Sequence, residues 1–87
     1  MCTVEKIASC QISFLPIGSS NYLGEINQVL ELIQNSGLEI SIGTMSTVVR
    51  GDKSKVLKLI TDIYQTMEDV CSFTMDVKLS NLCGCEI

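Results

Sequence analysis

The run from Leu38 to Gly51, LEISIGTMSTVVRG, limits the fold more than any other part of the chain. Apolar side chains recur at Leu38, Ile40 and Ile42, the every-second spacing of a half-buried strand. Gly43-Thr44 supplies a turn, and Met45 to Val49 resumes an extended run rich in β-branched residues. With Gly43 and Thr44 as the loop, Ile42 is expected opposite Met45, Ile40 opposite Thr47, and Leu38 opposite Val49. One face then reads Leu38, Ile40, Ile42, Met45, Thr47, Val49, and the other Glu39, Ser41, Ser46, Val48, Arg50. A slip of one residue would exchange these sets. The Thr47 hydroxyl falls among hydrocarbon, either as part of a polar pocket or simply bonded to backbone.

Around this hairpin the hydrophobic period switches twice. Ile7 to Leu15 alternates, with Ala8, Cys10, Ile12 and Phe14 on one face and Ser9, Gln11, Ser13 and Leu15 on the other. Pro16 and Gly18 are expected to end this strand, and Ser19-Ser20-Asn21 offers helix caps. Leu23, Ile26, Val29, Leu30 and Ile33 then recur at helical spacing, with Glu25 in the first turn and Gly37 as a left-handed stop. After the hairpin, Asp52 or Ser54 can cap a second helix with the stripe Val56, Leu57, Ile60, Ile63, Tyr64, Met67. Lys53, Lys55 and Lys58 read as its solvated side. A last strand runs from about Cys71 to Leu79, with Cys71, Phe73, Met75, Val77 and Leu79 pointing one way.

The resulting order, βαββαβ, with right-handed crossovers, predicts an α+β, ferredoxin-like fold: a four-stranded antiparallel sheet with two helices on one face. The first and third strands are expected at the centre, and the short apolar edge at Leu38 to Ile42 is expected to invite pairing with another subunit. Eighty-seven residues make a single domain, 1–87, with 83–87 as a cysteine-containing tail. An apolar content of 46% is high for so small a monomer and favours a homodimer or homotetramer. A net charge of −4 argues against nucleic acid as a ligand and suits a cationic one better. Neither a signal-peptide core nor a run of membrane-spanning length is visible, so no membrane insertion is expected. Five cysteines, an odd number, fit reduced thiols and a cytoplasmic location.

With no histidine, His-based acid–base chemistry, Cys-His nucleophiles and His-containing metal sites are excluded. No phosphate-binding glycine loop is present, and neither an enzymatic activity nor a cofactor is expected. RNA binding on the open sheet face would need stacking aromatics and a basic surround, and the central strands carry Ser9, Gln11, Ser13, Ser46 and Val48 instead. Cys83-Gly84-Cys85, which Cys2 at the other end could approach because the first and last strands are neighbours, could hold Zn or Cu(I). That defines one alternative, a metal-binding or redox-sensing oligomeric module. The other is a small-molecule pocket where the first strand ends, the first helix starts and the hairpin turns. Gln11, Ser13, Ser19, Ser20, Asn21, Thr44, Ser46 and Thr47 would supply its polar groups, and Phe14, Ile17, Tyr22 and Met45 its walls. The plainer alternative is that Ser19 to Asn21 only cap a helix and the strand hydroxyls are solvated.

Three segments carry a family likeness: Gln11-Ile-Ser-Phe-Leu-Pro-Ile-Gly18, Ser36-Gly37-Leu38, and Gly43-Thr-Met-Ser-Thr-Val-Val-Arg-Gly51. Over about residues 6 to 82 the chain resembles the small thiamine-binding (YkoF-like, hydroxymethylpyrimidine-binding) proteins, from which its cysteine-rich tail departs. The resemblance implies a ferredoxin-like domain that assembles through its sheets. It also implies non-catalytic binding of thiamine or its hydroxymethylpyrimidine moiety, for storage, delivery or sensing. On that reading Gln11, Ser13 and Thr47 meet the edge of an aminopyrimidine, and Tyr22 or Phe14 stacks on the ligand. Ser20, Asn21, Met45 and Ser46 complete the expected site.

Overall fold

The computed structural model describes residues 7–43 and 46–81. Its elements are β1 (Ile7–Ile17), α1 (Tyr22–Gln34), β2 (Glu39–Ile42), β3 (Thr47–Asp52), α2 (Lys53–Met67) and β4 (Ser72–Ser80). The strands form one antiparallel sheet in the order β2-β3-β1-β4, so the first and third strands are central, as in a ferredoxin-like domain.

Local chemistry sets the boundaries. The Asp52 carboxylate accepts the backbone N–H groups of Ser54 at 3.0 Å and Lys55 at 3.4 Å, satisfying donors that the first turn of α2 leaves unpaired. Asn21 stands at the N-cap of α1 without a side-chain cap, and its carbonyl accepts the Glu25 N–H at 3.1 Å. Beyond α1, Gly37 has φ +80°, the left-handed conformation that turns the chain into β2. Proline is tolerated within β1 because β3 pairs with β1 only as far as Ile12↔Thr47. Pro16 thus lies where β1 has β4 as its single neighbour. The strand runs on through Pro16 to Ile17 instead of stopping there.

The hairpin corrects one expectation. Ile42 pairs with Thr47 and Ile40 with Val49, two residues away from the tight-turn register. Residues 43–46 form the connection, closed by the Gly43 N–H donating to the Ser46 carbonyl at 2.8 Å. A shift of two preserves strand parity, so the expected faces survive: Thr47 and Val49 are buried on the helix side.

The core joins Ala8, Cys10 and Ile12 of β1, Val49 of β3, Val29 and Ile33 of α1, and Val56, Leu59, Ile63 and Met67 of α2. Leu59 takes the place expected of Leu57, which is exposed together with Tyr64. The buried stripe of α2 is narrower than the apolar arc of its sequence. In α1, Leu23 is 72% exposed while Glu25, in line with Val29 and Ile33 at intervals of one helical turn, is only 8% exposed. The expected first-turn acid is therefore an inward one.

Candidate functional site

Unequal strand lengths create the main recess. β1 and β4 continue as a two-stranded ribbon, Ser13–Ile17 against Ser72–Asp76, where β3 has already turned away. The N-terminal half of α1 thus passes over a step in the sheet, and its inward side chains cannot all be met by strand. The cleft left there measures about 460 Å³. β1 contributes Ile12 to Leu15, α1 contributes Tyr22, Ile26 and Leu30, and the hairpin contributes Ile42, Gly43, Ser46 and Thr47. The size is that of a single heterocyclic ligand.

The cleft is largely apolar, with Thr47 as its buried hydroxyl-bearing residue on the helix side. Ser13, Ser46 and Thr47 line it, with the Tyr22 phenol at the helix start, and no charged residue is among the lining residues. Thr47 is 8% exposed, held by its pairing with both Ile42 and Ile12. Phe14 is fixed from the β4 side, its ring 4.8 Å from that of Phe73, which in turn meets Tyr64 edge-on at 5.5 Å.

The residues expected to form one cluster divide between two faces of the sheet. Gln11 belongs to a separate depression of about 390 Å³ on the open face, shared with Ser13, Ser46, Asp76, Val77 and Lys78. Ser13 and Ser46 border both recesses. The Gln11 amide donates to the Ser46 hydroxyl at 3.0 Å, so Gln11 reaches the cleft through Ser46 and does not line it. Ser20 and Asn21 are exposed and line neither recess. The Asn21 N–H donates to the Ser19 hydroxyl at 2.9 Å, and its side chain folds onto Gly24, where a Cβ would come within 2.8 Å of its carboxamide. Ile17, expected as a wall, is exposed outside the cleft. Thr44 and Met45 lie outside the described residues. Ile26, Leu30 and Ile42 are walls that the sequence reading assigned to the general core or to the hairpin. Their helical or alternating spacing gave no sign of a neighbouring gap.

Among the described residues no group of three or more His, Cys, Asp or Glu side chains is placed to hold a metal. Cys2, Cys83 and Cys85, the candidate thiolate ligands, lie outside the described residues. Cys10 and Cys71 are free thiols. Burial pushes the Cys10 thiol above its ordinary value. Cys71 is pushed up by burial first, then by the charge of Glu25 and a hydrogen bond to it. Both thiols stay protonated at neutral pH and are poor nucleophiles and poor soft-metal ligands.

The described residues thus form a small split βαβ domain with an uncharged cleft beside its hairpin. Residues 7–86 match the YkoF-related family, and the chain belongs to that family. None of the curated proteins matches the chain. Among solved structures, it is similar to a Thermotoga maritima protein provisionally assigned to thiamine biosynthesis/salvage (TM-score 0.77, 16% identity, 90% of this chain and 86% of that one). It is also similar to a domain of unknown function from Bacillus cereus (TM-score 0.78, 16% identity, 100% and 86%). A hypothetical protein from Methanocaldococcus jannascii has the same architecture (TM-score 0.77, 20% identity, 93% and 86%). At these identities the likeness establishes the fold.

Proposed function

We propose that this protein binds thiamine, or its hydroxymethylpyrimidine portion, in the cleft beside the hairpin and releases it unchanged. The reading rests on one observation above all: an uncharged, largely apolar recess of about 460 Å³ beside the hairpin, with the buried Thr47 in its lining and Ser13 and Ser46 at its border. An aminopyrimidine carries donors and acceptors around a flat ring. Serine and threonine hydroxyls can donate or accept and so match either kind of atom. Tyr22 and Phe14 offer ring faces for stacking. The family membership supports a thiamine-related role, and the name of the Thermotoga maritima neighbour points the same way.

Within this proposal the chain acts without catalysis, as a cytoplasmic homo-oligomer. Isothermal titration with thiamine and with free hydroxymethylpyrimidine is the direct test, with saturable heat at one ligand per chain as the expected result. No heat and no amide chemical-shift change at millimolar ligand would reject the reading.

A further inference from the structure

The depression on the open face and the cleft under α1 lie on opposite sides of the sheet, yet Ser13 and Ser46 line both. The step in the sheet explains this. β3 pairs with β1 only as far as Ile12↔Thr47. From Ser13 onward β1 therefore has no strand on that side among the described residues, and the two recesses meet around its edge. At this junction the Ser46 hydroxyl accepts the Gln11 amide at 3.0 Å and keeps its own proton to donate. What the depression adds to the cleft is charge: Asp76 and Lys78 line it, whereas no charged residue lines the cleft. Asp76 stands opposite Ser13 in the β1–β4 register, and Lys78 stands opposite Gln11, one pleat further from the junction. Directly opposed side chains lie about 5 Å apart at Cβ, and successive same-face residues of a strand about 7 Å. The carboxylate is thus the charge next to the passage, with the ammonium beyond it. Glu39, also on the open face, is held by Arg50 at 2.7 Å, while Asp76 has no ion-pair partner among the described residues.

We infer that cleft and depression are two halves of one site. Its ligand is a flat heteroaromatic ring joined by a short linker to an organic cation, and Asp76 faces the cation. This rests on the proposed binding of thiamine or its pyrimidine portion in the cleft, and it adds what separates the two ligands. Thiamine is an aminopyrimidine joined through one methylene to a positively charged thiazolium. Free hydroxymethylpyrimidine lacks the second ring and is uncharged at neutral pH. With the pyrimidine in the cleft beside Thr47, a ligand that leaves past Ser13 and Ser46 brings its second ring onto the open face, beside Asp76. Asp76 is exposed, so water and salt screen the attraction. Its effect is that of a surface ion pair, about two- to five-fold in affinity. The hydroxyls and the apolar walls serve either ligand alike, and the carboxylate favours the cationic one.

Titration calorimetry of the full chain at low salt tests it, with thiamine and free hydroxymethylpyrimidine as the two probes. Wild type, Asp76→Asn and Asp76→Lys are compared, with far-UV circular dichroism as the folding control. Asp76→Asn is expected to weaken thiamine about two- to five-fold and Asp76→Lys roughly tenfold. The hydroxymethylpyrimidine affinity is expected to be the same in all three proteins. The thiamine loss is expected to shrink in high salt. Thiamine binding indifferent to both exchanges overturns the inference, and binding of the pyrimidine in the same experiment leaves the proposed function standing. An equal loss for both probes also overturns it, because Asp76 would then act on the ring or on the fold instead of on the cation. A wild type that binds neither probe removes the inference and the proposed function together.

Discussion

Glu25 is the least comfortable side chain in the core, and replacing it should make the protein more stable. It is 8% exposed, and its Oε1 atom is buried without a hydrogen-bond partner. A buried polar atom left unpaired costs about 1–3 kcal/mol. Against this stand an acid's favourable place in the first turn of α1, worth about 0.3–1 kcal/mol, and a weak hydrogen bond with the Cys71 thiol. The penalty exceeds the credit. Glu25→Met, of similar length and able to pack beside Val29 and Ile33, should gain about 1 kcal/mol. For a domain of this size that is about 4–8 °C in Tm. Urea unfolding at one fixed protein concentration measures it, with the midpoint rising and the m-value unchanged. Destabilisation of Glu25→Met would refute the reasoning, because it would mean that the buried oxygen has a donor worth more than its desolvation.

Thr47→Val exchanges a hydroxyl for a methyl of the same shape inside the cleft. It should weaken thiamine binding about 5–10-fold, the worth of one hydrogen bond, with unfolding midpoints nearly unchanged. Because no cation is among the lining residues of the cleft, thiamine diphosphate should bind more weakly than thiamine in the same titration. The raised thiols give a pH dependence with a definite sign. Above the ordinary value of 9.0 the unfolded chain loses protons that folded Cys10 and Cys71 retain. Their contribution to stability is therefore full below that pH and declines as pH rises through the folded values, as urea titrations between neutral and alkaline pH will record. Glu25→Gln should lower the Cys71 value, and site-resolved alkylation of Cys71 at mildly alkaline pH should then be faster than in the wild type.

Period-two and helical spacing were enough to place all six elements and the sheet order, because each strand carries one clean apolar face. The hairpin faces were legible for the same reason, since a two-residue error in register moves no side chain across the sheet. Loop length was not legible. Gly43-Thr44 looks like a complete turn, whereas the bond from Gly43 to the Ser46 carbonyl spans residues 43–46. Choosing between Leu57 and Leu59 in α2 requires the position of the sheet beneath the helix, which spacing alone does not fix. The expected binding cluster failed on a point the sequence did contain. β1 alternates, so Gln11 and Ser13 side chains leave the sheet opposite to Ile12, whose partner Thr47 faces the helices. Gln11 and Thr47 could never have lined one wall. Only the hairpin tip, where Ser46 lies at the border of both recesses, lets the two polar sets touch at all.

The cleft exists because β3 begins at Thr47 while its neighbour β1 carries on to Ile17. Its floor area is thus an arithmetic remainder, governed by how soon the hairpin folds back. Lengthening that hairpin by a pair of residues would roof over the step with backbone, and trimming it by a pair would open room for a bulkier guest. Within this scaffold, ligand size can be adjusted by loop insertion and deletion alone, without touching the packed layer that keeps the domain folded.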